Sequence, residues 1–294
     1  MTLRKDEQRQ NEWLMERVRI VTDSTADMPP EVVAELGITV LPLTIHLGQK
    51  VLRDGVDVTP SDFVTRLSRV SMPPSTSPPS PRQFEETYGE LIRDGGEVVS
   101  IHLSSRLSQT FRNAQRAALP LLGRSRIVVI DSQLITVGLG MLVTAAGRAA
   151  ARGESLDEVV RLVRGMIPRI YIGFFVETLD YLERGGRIGK AQALLGNMLN
   201  IKPLLILEEG ELVALEKVRT RAKAIEKLVE FITEFTRIEK MVVLHGNTPQ
   251  DVATLIEQTN LLMPNLDISV DHYGPVAATH VGTDALGVVV YEGM

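Results

Sequence analysis

The 294-residue chain is 44% hydrophobic and 23% charged, enough for one large or two ordinary globular domains with buried cores. A formal charge of −5, no Lys/Arg-rich cluster and 4% aromatic residues argue against a nucleic-acid surface, which needs a basic stripe or stacking platforms. With no cysteine, disulfides, thiolate catalysis and cysteine metal sites drop out together.

No apolar run approaches the roughly 18–20 residues of a membrane span, so stable membrane insertion is not expected. Residues 1–17 carry Arg4, Lys5, Asp6, Glu7, Arg9, Glu12, Glu16 and Arg17 without a hydrophobic middle, which is no secretory signal. They read as an N-terminal extension, frayed or helical, with a partner-binding arm as the alternative. The expected location is the cytoplasm.

In chain order, residues 18–22 form a short apolar strand ending in Asp23-Ser24-Thr25. Pro29-Pro30 opens a helix through Leu36 that Gly37 closes. Residues 38–47, rich in β-branched side chains, read as one strand region. Thr59 and Pro60 stand where an N-cap and a first helical residue belong. The Thr76-Ser77-Pro78-Pro79-Ser80-Pro81 run reads as a stiff loop, because its prolines exclude a regular helix or a central strand. A helix over 84–93 is broken by Asp94-Gly95-Gly96. A strand over 98–103 leads into Ser104-Ser105-Arg106-Leu107-Ser108-Gln109-Thr110, and another over 126–130 ends in Asp131-Ser132. Residues 133–151 form a long Ala-rich helix, and Ser155 caps the next through Met166.

This alternation predicts a parallel sheet with crossover helices over 18–168. Three strands end in hydroxyl-bearing segments, and ligands of open α/β sheets sit beyond the carboxyl ends of the strands. The expectation is one shared crevice; the competing reading makes Ser24 and Ser132 simple helix caps.

A second α/β domain, 169–294, follows. It holds a strand over 171–176, a helical turn over 179–184 and a helix over 189–199. Strands over 202–207 and 212–218 flank Glu208-Glu209-Gly210-Glu211 as a hairpin. Helices over 221–235 and 249–262 and strands over 241–245, 268–272 and 288–291 complete it.

Gly185-Gly186-Arg187-Ile188-Gly189-Lys190 is not a nucleotide P-loop: Arg184 stands where its first Gly is needed and Ala191 lacks the hydroxyl for magnesium. It reads as a Gly-Gly helix stop, whose Arg184, Arg187 and Lys190 also suit docking to an acidic partner. The histidines show no metal spacing; His46 and His102 fall in strands, and His272 and His280 flank Gly274-Pro275. No G-x-S-x-G elbow is present, so a serine hydrolase or transferase would have to rely on Ser24 or Ser132.

The chain resembles the DegV family from Val18 to Tyr291. The resemblance is carried by Val21-Thr22-Asp23-Ser24-Thr25-Ala26-Asp27, Thr76-Ser77-x-Pro79-Ser80-Pro81 and Leu103-Ser104-Ser105-x-Leu107-Ser108-x-Thr110. Leu182-x-x-Gly185-Gly186-Arg187-Ile188-Gly189-Lys190-Ala191, Asn200-Ile201-Lys202-Pro203-Leu204 and Thr279-His280-Val281-Gly282 follow in the family's order. The chain departs from the usual pattern at Pro78, Gln109 and Thr283-Asp284, where Gln, Gly and Pro-Gly are common.

The resemblance implies a two-domain α/β protein, a parallel-sheet domain followed by a mixed-sheet domain, with one long-chain fatty acid such as palmitate buried between them. It further implies a non-catalytic role, presenting the fatty-acid carboxylate to a separate ATP-dependent kinase, without metal or cofactor. By motif, Thr76 and Ser108 would bind the carboxylate with His280 nearby, and Arg187 would dock the kinase. Ser77, Gln109, Thr110 and Ser24 are the further polar contacts implied. A lipid-responsive sensor is the remaining alternative.

Overall fold

The computed structural model describes residues 18–67, 73–194 and 201–293. The expected N-terminal extension and residues 195–199 of the helix expected over 189–199 lie outside them.

The N-terminal half opens with β1 (Arg19–Asp23), a 3-10 turn at Ser24–Ala26 and α1 (Pro30–Leu36). The apolar stretch after Gly37 is not one strand. Pro42 divides it into β2 (Thr39–Leu41) and β3 (Thr44–Leu47), which join different sheets. Proline lacks the N–H that a continuous ladder would use. Next come β4 (Lys50–Arg53), α2 (Pro60–Leu67), β5 (Ser75–Ser77), α3 (Pro81–Leu91), β6 (Val98–His102), α4 (Thr110–Ala118), β7 (Ile127–Asp131), α5 (Thr136–Ala151) and α6 (Leu156–Met166).

Strands β2-β1-β6-β7 form the expected parallel sheet. Every residue of β6 is buried, as a strand covered by helices on both faces should be. Thr59 Oγ1 accepts the Asp62 N–H at 3.3 Å, the expected N-cap of α2. Helix α5 starts at Thr136, later than residue 133, because Gln133 takes positive φ, 56°, and Ile135 is extended. At Gly140 a Cβ would lie 2.5 Å from the Ala26 carbonyl oxygen, so glycine lets α5 pack directly on the turn after β1.

A small antiparallel sheet, β4-β3-β5, was not expected. It corrects the loop reading of Thr76-Ser77. Those residues form its edge strand, and Pro78 ends the strand where only an edge tolerates proline.

The C-terminal half contains β8 (Ile170–Phe175), α7 (Asp180–Arg184), a 3-10 turn at Gly189–Leu194, β9 (Lys202–Glu208), β10 (Glu211–Val218), α8 (Arg221–Thr233), β11 (Ile238–His245), α9 (Pro249–Leu262), β12 (Ile268–His272), α10 (Pro275–Val281) and β13 (Leu286–Glu292). Its six-stranded mixed sheet runs β10-β9-β8-β13-β11-β12. The β9–β10 hairpin turns through Glu209 and Gly210, both at positive φ, as a two-residue turn matched to strand twist requires. Gly185 caps α7 and Gly186 takes φ 66°, the expected helix stop.

One core runs through both halves, joining Leu103, Ile130 and Leu139 to Ile172, Leu205, Leu244 and Val276. A second core packs α8 against the other face of the mixed sheet. Polar ties also cross between the halves: Ser104 Oγ donates to the Gly210 carbonyl at 2.6 Å, and the Gly274 N–H donates to Asp27 Oδ2 at 2.9 Å.

Candidate functional site

A cavity lies between the two halves. Leu43, Leu103, Leu107 and Ile135 line it from the N-terminal side, and Ile172, Phe174, Leu207, Leu244 and Val288 from the mixed sheet. Helix α10 adds Val276, Ala277, His280 and Val281. The polar side chains in the wall are Thr76, Ser108, Thr136, Arg187, Tyr273 and His280. Two of these spend their hydroxyls on backbone: Thr136 Oγ1 donates to Ile135 and Tyr273 to Gly282.

The other four are held as follows. Thr76 Oγ1 and His280 Nε2 are 2.9 Å apart. Arg187 Nε donates to the Leu107 carbonyl at 3.2 Å, next to Ser108, and Arg187 also donates to the Gly185 carbonyl. Ser108 Oγ shares a 2.8 Å bond with Thr110 Oγ1 and accepts the Thr110 N–H. Burial, reinforced by the Arg187 charge, pushes His280 down to about 4, so its imidazole is neutral near pH 7. His280 Nδ1 is buried and has no hydrogen-bond partner among the described residues. A buried N–H without an acceptor costs more than an idle lone pair, so we place the proton on Nε2, donating to Thr76. That leaves the Thr76 hydroxyl hydrogen free to donate to an anion in the cavity.

Thr76 and His280 are therefore in contact, and Ser108 and Arg187 share the cavity wall with them. Arg187, expected to dock a partner, sits in a turn that folds back, its N–H meeting the Leu182 carbonyl at 2.9 Å, and its side chain lines the cavity. The other polar residues named by motif stand outside the wall. Ser77 Oγ pairs with His46 Nε2 at 2.9 Å. Gln109 is exposed at the start of α4 with φ −80°, an angle that needs no glycine. Thr110 is buried behind Ser108, and Ser24 Oγ accepts the Leu43 N–H at 3.0 Å.

The expectation of one crevice lined by all three hydroxyl-bearing strand ends holds in part: the segments after β6 (Leu107, Ser108) and β7 (Ile135, Thr136) reach the cavity, but Ser24, Ser104 and Ser132 do not line it. Ser104 ties down the hairpin tip, and Ser132 Oγ accepts the Leu134 N–H at 3.0 Å. The simple-cap reading needs a similar correction: Asp23, not Ser24, caps the turn after β1. Neither Ser24 nor Ser132 has a histidine partner among the described residues. A Ser–His–Asp relay does exist elsewhere: Ser100 Oγ to His102 Nε2 at 2.7 Å, and His102 Nδ1 to Asp23 Oδ2 at 2.9 Å. All three residues are fully buried and Tyr88 donates to Ser100 at 2.7 Å, so the relay is closed to substrate. Among the described residues no His/Asp/Glu group could hold a metal ion, and no helix is long and apolar enough to cross a membrane.

The sequence reading missed Tyr273, Thr136 and the whole of α10. Pro275 after Gly274 was the available signal for that helix, since proline suits a first helical position.

The family model described as "Uncharacterised protein, DegV family" matches residues 17–293. The chain belongs to the DegV family. A DegV domain-containing protein of Caldanaerobacter subterraneus is 38% identical over 283 residues, covering 95% of this chain and all of the relative. A Thermus thermophilus DegV-family structure, described as binding fatty acid, superposes with a TM-score of 0.85 at 34% identity, covering 94% of this chain and all of that one. A stearic-acid-binding protein from Eubacterium ventriosum gives 0.81 at 25% identity, covering 94% and 98%.

Proposed function

We propose that this DegV-family protein binds one long-chain fatty acid, such as palmitate, with the tail in the apolar cavity and the carboxylate at Thr76, Ser108, His280 and Arg187. The observation that carries this reading is the polarity of the cavity: apolar side chains line most of it, and its few polar groups include the Thr76–His280 pair, Ser108 and Arg187. That is the complement of an amphiphile. Burial of about 14 methylenes offers on the order of 11 kcal/mol gross, most of which offsets association and ordering costs. The fatty-acid binding described for the Thermus and Eubacterium proteins supports the same reading.

Presentation of the carboxylate to a separate ATP-dependent kinase is the second part of the proposal. The mouth holds hydroxyls, a neutral imidazole and one guanidinium, a set that orients a carboxylate and leaves an oxygen free to attack a phosphorus. Arg187 would then offset charge as the acyl phosphate forms. With Arg187 turned inward, exposed Arg184 and Lys190 on the same turn are the cations that would meet a partner.

Titration with palmitic acid and with its methyl ester tests the head-group assignment. The acid should bind at least tenfold tighter, through charge-assisted hydrogen bonds. Equal affinities, or no binding of either, would remove the carboxylate site.

A further inference from the structure

Helix α10 supplies Val276, Ala277, His280 and Val281 to the cavity wall, yet it is only seven residues long. A helix that short has little stability of its own, so its position is set by what grips it. Its carboxyl end is tied within the C-terminal half, where the Tyr273 hydroxyl donates to the Gly282 carbonyl at 2.9 Å. The N-terminal half grips it twice: Thr76 at His280, and Asp27 Oδ2 at the Gly274 N–H, 2.9 Å away at the helix N-cap.

The Asp27–Gly274 contact is a matched pair. Asp27 closes the turn after β1 in the left-handed region, φ 47° and ψ 45°, one that Asp tolerates better than most residues. Gly274 has φ −69° and ψ 167°, open to any residue. Yet a Cβ there would stand 2.0 Å from Asp27 Oδ1. The backbone does not demand glycine at 274; the neighbouring carboxyl group does. One domain thus offers an acceptor in an uncommon conformation, and the other leaves room for it.

We propose that Asp27 is a positioning residue for the head-group site: by holding the amino end of α10 it keeps His280 on Thr76 and keeps the helix closed over the ligand. The role in ligand retention rests on the fatty-acid reading above; the effect on His280 does not. Gly274→Ala and Asp27→Ala each break the grip, whereas Asp27→Asn retains a side-chain oxygen for the Gly274 N–H.

The test combines three measurements on the full chain: release of cis-parinaric acid by stopped flow, the nitrogen NMR titration of His280 without ligand, and the thermal midpoint. Gly274→Ala and Asp27→Ala should release the probe at least tenfold faster, and the His280 titration should move from about 4 towards its ordinary 6.5. Asp27→Asn should stay within about twofold of the parent in release, because it restores the acceptor. A lowered midpoint with unchanged release and an unchanged His280 titration would make Asp27 merely structural and overturn the proposal. If the parent protein bound no probe, the fatty-acid reading would fail, while the His280 titration would still decide the positioning role. If Asp27→Ala did not fold, Gly274→Ala would carry the test, since its backbone angles accept alanine.

Discussion

Thr76 Oγ1 and His280 Nε2 meet at 2.9 Å across 204 residues of sequence, joining the edge strand β5 to helix α10 at the mouth of the cavity. The bond fixes the direction of both groups. With the imidazole neutral and its proton on Nε2, the threonine hydroxyl is an acceptor towards His280 and a donor towards the ligand.

Thr76→Val keeps the side-chain shape and removes that donor. Palmitate affinity should fall by about 1.5 kcal/mol or more, roughly tenfold, since a hydrogen bond to an ionised carboxylate is lost. Calorimetric titration measures it; an unchanged dissociation constant would take Thr76 out of the head-group site.

The His280 shift gives a pH dependence with a definite sign. The folded ligand-free protein holds the proton less well than the unfolded chain, at about 4 against the ordinary 6.5. The corresponding stability is whole above pH 6.5 and is lost as pH falls towards 4, by about 3 kcal/mol at most. Urea unfolding between pH 7.5 and 4 should show this loss, and His280→Gln should show less of it. Fatty-acid binding near pH 5.5 should take up protons, because a carboxylate beside His280 raises its pKa. Heats of binding independent of buffer ionisation enthalpy would contradict the assignment.

Asp54 has the opposite sign. It is 3% exposed, its Oδ2 has no partner among the described residues, and burial is the main cause that pushes it up to about 7. Its contribution is whole below the unfolded value near 4 and declines as pH rises through 7. Asp54→Asn should therefore gain stability relative to the parent above pH 7 and lose that advantage at pH 4. A urea-midpoint difference that does not vary with pH would refute this.

The Asp23–His102–Ser100 relay predicts a stability effect without a catalytic one. Ser100→Ala leaves Tyr88 and His102 without their shared partner, at a cost of about 1–3 kcal/mol, while palmitate binding stays intact. Ester hydrolysis abolished by Ser100→Ala would revive the hydrolase reading.

How much of this was legible in the sequence depended on where each element gets its stability. Strands β1, β6 and β7 read correctly because they are apolar runs buried in a parallel sheet. The hairpin at Glu209-Gly210 read correctly because its turn chemistry is local. Strands β4 and β5 are three to four residues long and exist through tertiary contacts that no local pattern records, and the seven-residue α10 left only Pro275 as a local signal. That Arg187 lines the cavity depends likewise on tertiary structure, because its Gly-Gly turn folds back on Leu182. Thr76, Ser108 and His280 came from family motifs, since nothing in spacing alone joins residues that far apart.

Native mass spectrometry of protein purified without added ligand tests the central claim most directly. The account predicts a species heavier than the chain by one long-chain fatty acid, which organic extraction recovers and collisional activation releases as the free acid. A ligand-free mass that stays unchanged when palmitate is added would contradict it.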